Sequence, residues 1–175
     1  SENKLMEKQS MFNLNGKVVV ITGGAGLIGR EFVKSVSNFN GTAVIADIDP
    51  ERGNALQKVV PNATYVSLDI TDDATILAAI QELHGKFGRI DSLVNNAYPP
   101  KRKAGTKFFE VRSKDFALNI SSHLGGYFLA SQKFSEYFCK QGHGNIINIA
   151  SIYGVSPPDF DIYEGTGMTL TVEYS

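Results

Sequence analysis

Between residues 22 and 29 the chain reads Thr-Gly-Gly-Ala-Gly-Leu-Ile-Gly. This stretch follows the β-type run Lys17-Val-Val-Val-Ile21 and precedes a segment, Arg30 to Phe39, of helical character. A strand, a glycine-rich turn and a helix in that order form an anion-binding device. Main-chain N–H groups at the helix start converge on the anion, and the helix dipole adds about half a positive charge there. Gly24, Gly26 and Gly29 fit G-x-G-x-x-G, and Thr22 and Gly23 extend the fit to T-G-x-x-G-x-x-G. In such a turn one glycine permits the tight bend, a second lets a pyrophosphate approach the main chain, and a third lets helix pack on strand.

A second apolar run, Thr42-Ala-Val-Ile-Ala46, ends in Asp47, eighteen positions after Gly29. The dinucleotide-binding pattern places a carboxylate about 20 residues on, to accept hydrogen bonds from the adenosine ribose. A carboxylate about 4 Å from a 2′-phosphate repels it by several kcal/mol at an effective dielectric of about 20. No Arg or Lys stands at 46–51, and Arg52 is the nearest base. The expected cofactor is therefore NAD(H). Asp47 also reads as a turn or helix cap, although Asp49, before Pro50, is the better cap.

Strand and helix patterns alternate with short joins, which implies a doubly wound α/β fold with a parallel sheet. The expected strands are 17–22, 42–47, 63–68, 90–94 and 145–150. The expected helices are 26–39, 50–59 and 72–86, then a long one at 113–139. That last helix carries the stripe Phe116, Ile120, Leu124, Tyr127, Phe134 and Phe138. Right-handed crossovers give the strand order 3-2-1-4-5, with a ligand crevice at the carboxyl ends of strands one and four.

Residues 1–12 read as a tail and 13–175 as one dinucleotide-binding domain, with Met6 or Met11 as a possible natural start. The net charge of −1 points to neither nucleic acid nor an acidic membrane surface. No run approaches 18 apolar residues, and the start of the chain has no signal-peptide character. A single cysteine, Cys139, suits a reducing cytoplasm and reads as packing at the end of an apolar helix. The expected setting is cytoplasmic, with a small-molecule partner and neither nucleic acid nor membrane.

The remaining motifs fall at strand ends. Asn95-Asn96-Ala97-Tyr98 follows strand four, Ala150-Ser151 ends strand five, Asp69-Ile70 ends strand three, and Asn119 lies in the long helix. With the glycine turn, this set resembles the short-chain dehydrogenase/reductase family, in order and spacing, from about Leu14 to Ser175. The resemblance implies a Rossmann-type sheet and an oxidoreductase that moves hydride to or from a secondary alcohol or ketone. It implies that Gly23, Gly24, Gly26, Leu27, Ile28 and Gly29 hold the pyrophosphate, and that Asp47 with Ile48 holds the adenosine ribose. Asp69 and Ile70 would flank the adenine. Asn95 and Ala97 would line the cofactor and brace the sheet. On the catalytic side Asn119 would anchor a water, Ser151 would hold the substrate oxygen, and a tyrosine with a lysine four residues later would move the proton. A phenol has an ordinary pKa of about 10, and a nearby ammonium lowers it toward neutrality.

Two tyrosines compete for that role. Tyr163 has the family's distance from Ser151, but Gly167 stands where the lysine belongs. Tyr174 comes later, followed by Ser175, and its lysine would fall three residues past the last one. Tyr174 is favoured, because tyrosine and lysine four apart share a helix face. Relatives continue with the lysine helix, two further strands and a substrate-covering segment. Residues 1–175 alone are therefore expected to be inactive or nearly so, with strand five a raw sheet edge. In the family the long helix and the one after it pair with a second subunit, so the full-length protein is expected to be a homo-oligomer.

The long stretch from Ser151 to Tyr174, together with Asn95-Asn-Ala-Tyr98, resembles dehydrogenases of flagellin-modification sugar pathways and implies a sugar-derived substrate. Two alternatives stay open: a catalytically incompetent NAD-binding module, and a nucleotide-sugar epimerase or dehydratase, which the T-G-x-x-G-x-x-G spacing favours. Lys101-Arg102-Lys103 reads as a solvated loop or a binding site for a substrate anion. His84, His123 and His143 lack the partners of a metal site, and packing or capping is the expected role of His123.

Overall fold

The computed structural model describes residues 12–98, 108–156 and 159–166. Five parallel strands form one sheet: β1 (Val18–Thr22), β2 (Thr42–Asp47), β3 (Ala63–Ser67), β4 (Ser92–Asn95) and β5 (Asn145–Asn148). Their order is β3-β2-β1-β4-β5, the expected doubly wound arrangement. The helices are α1 (Gly29–Asn38), α2 (Pro50–Val59), α3 (Asp73–Phe87), α4 (Ser113–Ser122) and α5 (Leu124–Gln141).

β1 is buried along its whole length, as a central parallel strand covered on both faces must be. Alternation divides it between two cores. Val18 and Val20 join Val44, Leu93, Leu83 and Phe134 under α3 and α5, while Val19 and Ile21 join Ile45, Val94 and Val33 under α1 and α2. Asp49 caps α2, its carboxylate accepting from the N–H groups of Glu51 at 3.1 Å and Arg52 at 3.0 Å, with Pro50 opening the helix.

The expected single helix at 113–139 is two helices. The chain breaks at His123 (φ −90°, ψ −70°), which ends α4 and starts α5. The apolar stripe runs across the break, so its period hides it. Phe116 and Leu124 of that stripe are exposed, with Leu118 and Phe128 beside them. The first helix also begins at Gly29, because residues 26–28 belong to the turn. Cys139 is exposed and does not serve as packing.

At the amino end of the sheet Asp91 is a charged joint between β1 and β4. Its carboxylate, 9% exposed, accepts from the Val18 N–H and Arg89 Nε, each at 2.9 Å, and from Lys17 Nζ at 3.3 Å. Burial alone would raise its pKa, but the bonds from Arg89, Val18 and Lys17 outweigh this and hold it below the usual carboxylate value. A folded value depressed below the unfolded one of about 3.9 gives stability that is present above that pH and is lost as pH falls through the folded value. Asp91→Asn is expected to lower the unfolding free energy by about 2 kcal/mol at pH 7, since hydrogen bonds to a charged group are lost. Denaturant titrations should show this deficit shrinking below about pH 4; a deficit independent of pH would count against the charged joint.

Candidate functional site

The sheet order reverses between β1 and β4, and a cleft of about 520 Å³ opens at their carboxyl ends. Four segments wall it: the glycine turn, the end of β2 with the start of α2, residues 68–71 after β3, and Asn96 to Tyr98 after β4.

The turn owes its shape to missing side chains. Gly23 has φ +62°, and a Cβ there would lie 2.8 Å from the Ala97 Cα. A Cβ on Gly29 would lie 2.1 Å from the Gly23 carbonyl oxygen, so only glycine lets α1 start this close to β1. The Gly24 N–H donates to the Ala46 carbonyl at 3.3 Å, the Gly26 N–H to the Gly23 carbonyl at 3.0 Å, and the Ala25 N–H to Asp47 Oδ2 at 2.9 Å. Among the described residues the next three N–H groups, of Leu27, Ile28 and Gly29, donate to no protein acceptor, and Ile28 caps the helix without a side-chain bond. Unpaired donors at a helix start that opens into a cleft are the makings of an anion site.

A clamp holds the turn from the β4 side. The buried Thr22 hydroxyl accepts from the N–H groups of Asn96 at 3.0 Å and Ala97 at 3.1 Å, and donates to the Val94 carbonyl at 3.3 Å. Asn96 Nδ2 donates to the carbonyls of Thr22 at 2.9 Å and Gly23 at 3.3 Å. On the β2 side the half-buried Asp47 lines the cleft, and its Oδ1 also accepts the Asp49 N–H at 3.1 Å. A carboxylate can accept about four hydrogen bonds, so Asp47 keeps capacity for hydroxyl donors.

Gly23, Gly26, Leu27, Ile28, Gly29, Asp47, Ile48, Asp69, Ile70 and Ala97 all line the cleft. Gly24 does not; it packs against Ile21 and Ile45. Asn95 does not line it either. Fully buried, it points to the α5 side and donates to Ser131 Oγ at 2.9 Å and Asn148 Oδ1 at 2.8 Å, so of its two expected roles the structure shows only the bracing of the sheet. Asn96 takes the cleft position instead. The two-residue strand period would have found this, because Asn95 shares a face with Leu93 and Asn96 does not.

The sequence reading also missed the wall residues Leu68, Asp49, Thr71, Tyr98 and Arg52. Arg52, one position outside the 46–51 window, lines the same cleft as Asp47 because the first turn of α2 folds back over the end of β2.

Asn119 is half-buried on α4, and Ser151 follows β5, where its Oγ accepts the Tyr153 N–H at 3.2 Å. Neither lines the cleft. The His123 ring packs edge-on against Tyr98 and Tyr127, with centroids 5.0 Å away in each case. His84 bonds to the Tyr137 hydroxyl at 2.9 Å, and His143 lies 3.7 Å from Asp91. No group of metal-ligating residues occurs among the described residues. Tyr174 and Lys101-Arg102-Lys103 lie outside the described residues, as does the Tyr163 side chain.

Comparison with known proteins agrees with this geometry. Residues 17–166 match the family model for short chain dehydrogenases. The chain is 35% identical over 168 residues to a post-translational flagellin modification protein A of Campylobacter coli, covering 93% of this chain and 66% of that protein. It is 32% identical over 141 residues to an L-fucose dehydrogenase of Bos taurus, covering 79% of this chain and 50% of that protein. A crystal structure of an NAD+-bound xylitol dehydrogenase superposes with a TM-score of 0.76 at 26% identity, over 89% of this chain and 60% of that one. The chain thus spans between half and two thirds of the length of these relatives. On the family model, the sheet order and the glycine turn together, the chain belongs to the short-chain dehydrogenase/reductase family.

Proposed function

We propose that the cleft binds NAD(H) and serves hydride transfer to or from a secondary alcohol or ketone. The observation that carries this reading is the row of three unpaired N–H groups at Leu27, Ile28 and Gly29, opening beside the Asp47 carboxylate. The row suits a pyrophosphate and the carboxylate suits ribose hydroxyls. The exposed side chains of Leu27, Ile28 and Ile48 give the cleft an apolar rim suited to aromatic bases. Asp69 and Ile70 would flank the adenine, and Asn96 and Ala97 would border the cofactor further along.

When bound, the cofactor supplies or takes up the hydride. In this reading Ser151 holds the substrate oxygen, Asn119 anchors a water, and Tyr174 moves the proton at that oxygen. The 32% identity to an L-fucose dehydrogenase favours a sugar-derived substrate. The exposed Leu124 and Phe128, four apart on one side of α5, support a homo-oligomer, and the reading places the protein in the cytoplasm. Sedimentation should show an assembly larger than one chain, with Leu124→Glu combined with Phe128→Glu shifting it to monomer.

Fluorescence titration tests the cofactor. NADH emission should rise on binding, more strongly and at lower concentration than NADPH emission. Absence of binding by either would sink the reading.

A further inference from the structure

Asp47 carries more than the ribose role expected of it. Ala25 lies in the middle of the glycine turn and is 9% exposed, and an N–H that buried needs an acceptor. The acceptor here is the Asp47 carboxylate, at 2.9 Å across 22 residues of sequence, where the neighbouring Gly24 and Gly26 N–H groups use main-chain carbonyls. The second oxygen of the same carboxylate accepts the Asp49 N–H at 3.1 Å. One side chain thus joins the turn that ends β1 to the turn that leads from β2 into α2, and these are two walls of the cleft.

We propose that Asp47 is a positioning residue for the glycine turn, so that recognition of the diphosphate depends on the group that also faces the ribose. This rests on the cofactor reading above. The consequence is energetic coupling. Removing the oxygen that holds Ala25 lets residues 25–29 relax, and the three unpaired N–H groups lose their common aim. Ligands with a diphosphate then suffer beyond the loss of the ribose contact.

Two variants separate this from a charge effect. Asp47→Ala and Asp47→Asn both remove the charge, but only asparagine keeps an oxygen that can accept from Ala25. Kd values for adenosine and for ADP, from NMR titration, give the contribution of the diphosphate as their ratio, in which ribose contacts cancel. The preference for ADP over adenosine should be roughly fivefold to tenfold lower in Asp47→Ala than in Asp47→Asn, the factor expected for one hydrogen bond. Hydrogen exchange of the Ala25 amide in nucleotide-free protein should be faster in Asp47→Ala than in Asp47→Asn by a similar factor. Equal ratios and equal exchange in the two variants would overturn the proposal. If the unaltered protein binds neither nucleotide, the cofactor reading fails, while the exchange comparison still decides whether Asp47 holds the turn.

Discussion

Gly29→Ala is expected to abolish dinucleotide binding, with a loss in NADH affinity of more than about 100-fold, and to destabilise the fold by about 2 kcal/mol. The new Cβ would sit 2.1 Å from the Gly23 carbonyl oxygen and 2.9 Å from both the Gly23 carbonyl carbon and Asn96 Nδ2. Two of these atoms are main chain, so a shift of the Asn96 side chain alone would not relieve the contact. Relief requires α1 to move away from β1, which takes the three unpaired N–H groups with it. Gly85→Ala is the control. It lies inside α3, a Cβ there meets nothing within 4 Å, and the change should stabilise by about 0.5–1 kcal/mol. NADH titration and thermal melts of both variants decide the matter: unaltered NADH affinity in Gly29→Ala would refute the assignment of the turn.

Asp47→Ser is the second large effect, and it concerns choice of cofactor. Unit charges about 4 Å apart at an effective dielectric of about 20 interact by about 4 kcal/mol, so the carboxylate disfavours a 2′-phosphate strongly. Arg52 lines the same cleft, is exposed, and has no ion-pair partner among the described residues. Once the carboxylate is gone, a 2′-phosphate meets a cation in place of an anion. The ratio of NADPH to NADH affinity should rise by about 100-fold, and Arg52→Ala added to Asp47→Ser should reverse part of the gain. Any slackening of the turn affects both cofactors alike and drops out of the ratio. A wild-type preference for NADPH would contradict the role given to Asp47.

Much of the fold was readable because each layer has a periodicity of its own. Continuous β-branched runs marked the buried strands, and the short joins between them and the helical patterns left one doubly wound topology. The apolar period hides the break at His123. Ile120, Leu124 and Tyr127 continue the helical spacing straight through it, and only Ser121-Ser122 before it and Gly125-Gly126 after it mark a weak point in the helix. In the cleft the glycine spacing and Asp47 were legible because they answer to main-chain geometry and charge. Of the two roles the resemblance implies for Asn95, contact with the cofactor and bracing of the sheet, its strand position gives it the second, through Ser131 and Asn148. Arg52 and Tyr98 escaped because only the folded chain brings the first turn of α2 and the end of β4 to the cleft. Asn119 and Ser151 stood out by motif, but nothing in the motif says how far each stands from the cleft wall.

The row of N–H groups at residues 27–29 divides the cleft into two kinds of surface under mutation. Every L-amino acid except proline carries the same main-chain donor, so changes at Leu27 or Ile28 leave these N–H groups in place and alter only the apolar rim above them. In the cofactor reading proposed above, the phosphate-binding part is therefore shielded from drift in side-chain identity except at the glycines and at Asp47, which holds the turn. The rim and Arg52 can vary around that constant, whereas Asp47 cannot vary freely, because its carboxylate holds the Ala25 N–H of the turn. In that reading, preference for base or substrate can shift one rim residue at a time while the main-chain donors that face the phosphate stay in place.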